Sequence, residues 1–182
     1  MGFRAFIAVD VECGPVLRDA IEELAHLGRA LKPVSPGNVH VTLKFLGETE
    51  EQTVPDLGGV MRKAVQGLAP FEVRLIGTGV FPNLRAARVV WVGMEGTEPL
   101  KRIVTGLEDG CVPLGFSRDR YAFSPHLTLA RVREGFKADL VDFLKYGRDK
   151  DFGSFAVNAI KLKKSVLTPN GPIYSDVLDI GL

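Results

Sequence analysis

Two short stretches of the chain, 86 positions apart, carry nearly the same residues. Residues 39–43 read VHVTL and residues 125–129 read PHLTL, and two of the three histidines of the chain lie in this pattern. Residues two apart in a β-strand face the same way, so each stretch predicts a strand with His and Thr on one face and apolar side chains on the other. The repeat indicates two halves of one site. Its four residues are His40, Thr42, His126 and Thr128.

The elements around these motifs repeat as well. Hydrophobic periodicity predicts the order strand, helix, strand, helix, strand over residues 3–81, and the same order over residues 88–167. The first His strand is predicted to end before Gly47. A final strand is predicted at 173–180, after a turn at Pro169-Asn170-Gly171-Pro172.

This duplication predicts an α+β fold of two lobes related by a pseudo-two-fold axis. Pro15 and Pro99, which are both predicted helix starts, lie 84 positions apart. The halves that form the lobes are about 1–83 and 84–182, and their His strands are expected to face each other across a groove. Because no low-complexity linker separates the halves, residues 1–182 are predicted to form a single domain.

Composition excludes several classes of function. The chain is 46% hydrophobic and 25% charged, which is typical of a globular protein, and its net charge of +1 argues against a sequence-blind polyanion binder. No apolar run reaches the roughly 18–20 residues of a membrane helix. Cys13 and Cys111 lack CxxC spacing and are predicted to be reduced thiols. We therefore expect a soluble, cytoplasmic monomer with no membrane contact.

Two imidazoles with neighbouring hydroxyls suit acid–base chemistry. A neutral His takes a proton from water or a hydroxyl, and a protonated His gives one to a leaving oxygen. The Thr hydroxyls can bind the non-bridging oxygens of an anion, so the pattern favours metal-free cleavage of a phosphodiester. A zinc site needs three or four ligands, and the sequence offers no third candidate. A Ser-His-Asp triad is disfavoured because Ser124 is too close in sequence to His126.

With these motifs in view, the chain resembles the bacterial and archaeal RNA 2′,3′-cyclic phosphodiesterases, also called the 2′-5′ RNA ligase family, of the two-histidine phosphoesterase superfamily. The resemblance covers nearly the whole chain. The segments that carry it are RAFIA at 4–8, HVTLKFLGE at 40–48, GVFPN at 79–83, RVVWVG at 88–93, SPHLTLAR at 124–131 and LTPNGPIY at 167–174.

The resemblance implies a bilobed fold whose antiparallel sheets line a central groove, with helices outside. It implies hydrolysis of a 2′,3′-cyclic phosphate on RNA or a nucleotide to a 2′-phosphate without cofactor or metal, and weak reverse 2′-5′ ligation. Our hypothesis is that His126 activates the water and His40 protonates the departing 3′-oxygen, with the reverse assignment left open. Two alternatives remain: a phosphodiesterase for a small cyclic nucleotide or ADP-ribose cyclic phosphate, and a non-catalytic nucleotide- or RNA-binding module.

Three further side chains are predicted to bind substrate. Strand alternation places Lys44 on the face of His40, where it would attract a phosphate. The resemblance points to Arg131, although alternation puts it opposite His126, so its strand must bend or end there. The counterpart of Arg131 in the first half is Phe45. Phe6 lies off the apolar face of its strand and is a candidate for stacking a nucleobase.

Overall fold

Two antiparallel sheets and four α-helices make up the part of the chain that the computed structural model describes, residues 2–169 and 171–182. The helices are α1 (Pro15–His26), α2 (Val54–Val65), α3 (Glu98–Cys111) and α4 (Val141–Gly147). The strands are β1 (Gly2–Asp10), β2 (Leu31–Pro33), β3 (His40–Glu50), β4 (Phe71–Phe81), β5 (Val89–Glu95), β6 (Leu127–Val132), β7 (Asp151–Val157), β8 (Ala159–Thr168) and β9 (Gly171–Gly181).

The two halves of the chain exchange strands. The first sheet has the order β3-β1-β8-β9, and the second has the order β2-β6-β5-β4-β7. Strand β1 lies between β3 and β8, and β5 lies between β6 and β4 in the same manner. This correspondence agrees with the predicted pseudo-two-fold repeat. The lobes, however, are not the sequence halves 1–83 and 84–182, because β4 joins the second sheet while β8 and β9 join the first.

The helices pack with the same exchange. Helix α1 follows β1 but contacts β2, β6 and β7 of the second sheet, whereas α3 follows β5 and contacts β3 of the first. The buried face of α1 carries Leu17, Ala20, Ile21 and Leu24 at helical spacing. One continuous cluster of buried apolar side chains extends through both sheets. No helix in the described part of the chain is long and apolar enough to cross a membrane.

Several element boundaries differ from those that the sequence predicts. Strand β4 has its predicted bounds, but β2 is not predicted because a three-residue strand has no readable period. The sequence pattern predicts one strand from 155, where the structure has β7 followed by β8. Strand β3 continues past Gly47, whose positive φ of 72° suits glycine, to Glu50. The predicted turn at 169–172 includes Asn170, which lies outside the described residues.

A β-bulge occurs at the same motif position in both halves. In β3, Thr42 lies opposite Ala8 and Lys44 lies opposite Ile7, so Leu43 is an extra residue between them. In β6, Thr128 lies opposite Trp91 and Ala130 opposite Val90, so Leu129 is the extra residue. One inserted residue reverses the face of the side chains that follow it, which in β3 holds up to a second register shift at Leu46. We call this pair, Leu43 and Leu129, the repeated bulge.

Candidate active site

A groove of about 880 Å³ is lined by residues of both sheets. All four residues of the repeated motif line it: His40, Thr42, His126 and Thr128. Strand β3 brings the first pair and the segment entering β6 brings the second, so the predicted juxtaposition of the two pairs is present in the fold.

The two imidazoles are anchored in the same way. His40 Nδ1 lies 2.7 Å from the Asn38 carbonyl oxygen, and His126 Nδ1 lies 2.7 Å from the Ser124 carbonyl oxygen. A carbonyl only accepts hydrogen bonds, so Nδ1 carries the proton and donates in both residues. Nε2 is thereby the nitrogen of each ring that can exchange a proton with a substrate.

An aromatic ring packs edge-on against each imidazole. The Tyr174 ring lies 5.3 Å from His40 at 89°, and the Phe81 ring lies 5.0 Å from His126, also at 89°. Edge-to-face contacts of this kind restrict rotation of both rings. Together with the Nδ1 hydrogen bonds, they fix the direction in which Nε2 points.

Burial and nearby charges act on the titratable groups of this site. Burial lowers the pKa of His40 below its ordinary value, and the charges of Lys163 and Arg131 lower it further. The hydrogen bond to Asn38 and the charge of Asp10 oppose that shift. Burial raises the pKa of Tyr174, so its hydroxyl is protonated at neutral pH and can donate a hydrogen bond.

The prediction that Lys44 binds substrate is wrong. Its side chain is fully buried on the other side of β3, where Nζ lies 2.7 Å from Glu108 Oε1 of α3 and 3.1 Å from the Ser117 carbonyl oxygen. The cause is the repeated bulge, because the extra Leu43 turns Lys44 away from the groove. Simple alternation counted from His40 cannot detect an inserted residue.

The second copy of the repeated bulge, at Leu129, has the opposite consequence for Arg131. The extra Leu129 turns Ala130 into the core and Arg131 to the groove, which supplies the bend that its predicted role required. In the first half, Phe45 takes the equivalent place and is 59% exposed. The groove therefore presents a cation at one of these two positions and an apolar ring at the other.

Phe6 reaches the groove but is largely covered. It is 5% exposed, and its ring contacts those of His40, Phe45 and Tyr174. Stacking of a nucleobase on Phe6 stays a prediction.

Sequence reasoning missed two cations that line the groove, Arg4 and Lys32. Arg4 could have been found because it lies two residues before Phe6 on β1 and therefore on the same face of the strand. Lys32 lies on the short strand β2, which carries no periodic signal. Among the described residues, no group of three or more His, Cys, Asp or Glu side chains is placed to hold a metal ion.

Known proteins resemble this chain over most of its length. An RNA 2′,3′-cyclic phosphodiesterase of Methanothermobacter thermautotrophicus is 38% identical, with 97% of each chain covered. One from Aeropyrum pernix is 39% identical over 90% of this chain and 92% of its own. Among solved structures, a protein of Thermus thermophilus superposes with a TM-score of 0.79 at 32% identity, covering 98% of this chain and 97% of its own.

Two further comparisons agree with these. E. coli LigT complexed with 3′-AMP superposes with a TM-score of 0.78 at 25% identity, covering 100% of this chain and 99% of its own. The family model described as the 2′-5′ RNA ligase superfamily matches residues 14–165. With both His-x-Thr pairs in one groove and a match of this length, the chain belongs to the 2′-5′ RNA ligase superfamily.

Proposed function

We propose that this protein hydrolyses the terminal 2′,3′-cyclic phosphate of an RNA to a 2′-phosphate, with His40 and His126 as the acid–base pair. The observation that carries the proposal is the pair of imidazoles that line one groove with the same Nδ1 anchoring. The relatives named RNA 2′,3′-cyclic phosphodiesterase, which match most of the chain, support it.

In the proposed reaction, water attacks phosphorus while the bond from phosphorus to the 3′-oxygen breaks. His126 accepts the proton of the attacking water through Nε2, and His40 donates the proton that the departing 3′-oxygen needs. The hydroxyls of Thr42 and Thr128 hold the non-bridging oxygens. Arg131 adds positive charge beside the phosphate. With a 5′-hydroxyl attacking phosphorus in place of water, the bond to the 3′-oxygen again breaks, and the same groups would form a 2′-5′ phosphodiester, which is the weak ligation we propose.

The charge of the groove suits an anionic strand. Its described lining carries the cations Arg4, Lys32 and Arg131 and no carboxylate. Such a lining attracts the phosphates of an RNA end, although the net charge of the whole chain is only +1. A small cyclic nucleotide is the alternative substrate, and the dependence of turnover on RNA length separates the two.

The deciding experiment measures hydrolysis of a short RNA with a 2′,3′-cyclic phosphate end in excess EDTA. We expect wild type to release a 2′-phosphate, and His40→Ala and His126→Ala each to lose about 10²–10⁴-fold in rate. His26→Ala is the matched control, because His26 lies on α1, outside the groove lining, with its Nδ1 on the Glu22 carbonyl.

Three outcomes would contradict the proposal. Loss of wild-type turnover in EDTA would indicate a metal-dependent reaction. Tight RNA binding without turnover would indicate a binding module. An equal loss in His26→Ala would show that the effect is not specific to the groove.

We further propose that residues 1–182 act as one domain and as a monomer in the cytoplasm. The continuous core through both sheets supports the single domain, and the free thiols of Cys13 and Cys111 are consistent with a reducing compartment. Light scattering coupled to size exclusion measures the oligomeric state directly.

A further inference from the structure

Four charged side chains form a closed ring of ion pairs on the groove face of the first sheet. Lys161 Nζ lies 3.0 Å from Asp10 Oδ2 and 2.7 Å from Asp176 Oδ2. Lys163 Nζ lies 2.8 Å from Asp10 Oδ1 and 2.6 Å from Asp176 Oδ1. Each ammonium therefore contacts both carboxylates, and each carboxylate gives one oxygen to each lysine. We call these four residues the charge ring.

Strand register places the charge ring beside His40. Asp10 of β1 lies directly opposite His40 of β3, and directly opposite residues in a sheet share a face. Lys163 of β8 lies opposite Phe6, whose ring contacts the His40 imidazole at 5.1 Å. On its other side, Lys163 lies opposite Asp176 of β9. The ring thus spans three strands next to one catalytic histidine.

The two ammonium groups of the ring are more buried than its two carboxylates, Asp10 and Asp176, which are 45% and 42% exposed. The Lys163 side chain is only 9% exposed, and that of Lys161 is 24% exposed. An ammonium buried to this degree is stable only with charged partners at hydrogen-bond distance, which both aspartates supply. Each lysine has one partner on β1 and one on β9, and each aspartate contacts both lysines of β8, so every member keeps a second ion pair if one is lost.

Three charges act on His40 from the strands near it: Lys163 of β8, Asp10 of β1 and Arg131 of β6. Lys161 and Asp176 complete the charge ring, and Asp179 of β9 lies 3.7 Å from Lys161. The titratable groups Tyr174 and His126 and the cations Arg4 and Lys32 line the same groove. The hydrogen bond of Nδ1 goes to the Asn38 carbonyl, so Asp10 and Lys163 act on the imidazole through their electrostatic field.

We propose that the charge ring is a positioning device for His40: it holds two cations and two anions in fixed places on the sheet face that His40 shares, and so keeps the electrostatic surroundings of the imidazole constant during the reaction. This role rests on the proposed function, in which His40 is catalytic. Lys163 and Asp10 act on the pKa of His40 in opposite directions, the lysine lowering it and the aspartate raising it.

Because Lys163 and Asp10 act on the pKa of His40 in opposite directions, removing each charge is expected to shift that pKa in the opposite direction. Asp10→Asn removes a negative charge and is expected to lower the pKa of His40, whereas Lys163→Met removes a positive charge and is expected to raise it. The double variant removes one charge of each sign and is expected to titrate closer to wild type than either single variant.

The primary measurement is NMR titration of the histidine rings. The chain has only three, His26, His40 and His126, so their signals are assigned from the three His→Ala variants. The His40 signal is expected to move as stated in both single variants, while that of His26, on α1, stays in place. The limb of the kcat/KM against pH profile that belongs to His40 is expected to move in the same direction.

Two controls separate charge from folding. Lys163→Arg keeps the cation and is expected to restore the His40 titration toward wild type. Lys164→Met removes the same charge from the next residue of β8, where Nζ lies 5.6 Å from the Phe3 ring centroid, and is expected to leave His40 unchanged. Shift dispersion in the same spectra shows whether each variant is folded, and the double variant serves if a single one is not.

The outcomes distinguish this proposal from the proposed function. A His40 titration that is the same in wild type, Asp10→Asn and Lys163→Met would overturn the role of the ring, whatever the activity. A shift of the same sign in both variants would overturn it too. A wild type that does not hydrolyse the cyclic phosphate would overturn the proposed function. The NMR titration of His40 would still show whether the charge ring acts on the imidazole.

Discussion

His40 and His126 have the same local support but different surroundings. Each Nδ1 donates to the carbonyl two residues earlier, and each ring meets an aromatic edge-on. His40 is in addition surrounded by Phe6 and by fixed charges that bear on its pKa. The two imidazoles therefore enter the division of acid and base roles from different electrostatic surroundings.

The pH dependence of kcat/KM tests how the roles are divided. Burial lowers the pKa of His40, so its protonated form dominates only below that pKa. If His40 is the acid, kcat/KM falls as the pH rises through the pKa of His40, which lies below the ordinary value of about 6.5. We expect His40→Ala to lose this basic limb and to keep the acidic limb of the base, His126. His126→Ala is expected to show the converse.

The pH profiles of the single variants are necessary because the wild-type profile has the same shape whichever histidine is the acid and whichever is the base. If His40→Ala keeps the basic limb and loses the acidic one, then His40 is the base and His126 the acid.

At the scale of strands and helices, much of the site was predictable from sequence, and the exceptions have one cause. The His-x-Thr pairs could be placed because each lies before the repeated bulge, where strand alternation still holds. Beyond it, alternation assigns Lys44 to the wrong face, and Arg131 could be placed only by a resemblance to a family. The exchange of β4 and β8 between the sheets could not be predicted either. Hydrophobic periodicity indicates where a strand lies in the sequence but not which strands pair with it.

The ion pair that holds β3 against α3 yields a prediction about stability. Glu108→Leu removes the closest carboxylate of the buried Lys44 ammonium, at 2.7 Å, and leaves it Asp119 at 3.9 Å, so it is expected to lower the free energy of unfolding by at most about 3–5 kcal/mol. The double variant Lys44→Met/Glu108→Leu removes both charges and is expected to be more stable than Glu108→Leu alone. Urea-induced unfolding followed by circular dichroism measures both.

Glu98→Leu is the matched control on the same helix. Its partner is the exposed Lys101, so its loss is expected to change stability by no more than about 1 kcal/mol. A Glu108→Leu protein as stable as this control would show that the buried pair contributes nothing.

For the whole molecule, strand exchange predicts that the two sheets unfold together. Neither sheet is complete without strands from the other half of the chain, and one apolar core extends through both. Leu162→Ala truncates a fully buried side chain in β8 of the first sheet and is expected to cost about 2–5 kcal/mol. Trp91, the single tryptophan of the chain, lies in β5 of the second sheet and reports on that sheet alone.

The check compares two probes during denaturation. Trp91 fluorescence and far-UV circular dichroism are expected to give the same midpoint in wild type and the same lowered midpoint in Leu162→Ala. A variant whose circular dichroism transition moves while the Trp91 transition stays would show that the lobes unfold independently.

Because of the repeated bulge, neighbouring positions are expected to respond differently to substitution. Positions 44 and 130 face the core, where a change of size or charge acts on folding. Positions 45 and 131, one residue further, face the groove, where a change acts on what is bound, on the Phe6 ring that Phe45 contacts and on the charge that Arg131 places near His40. The two copies have already diverged there, to Phe45 and Arg131. A combinatorial library at these two positions therefore varies the surface of the groove, whereas the same library moved one residue back would change the buried positions 44 and 130 and act on folding.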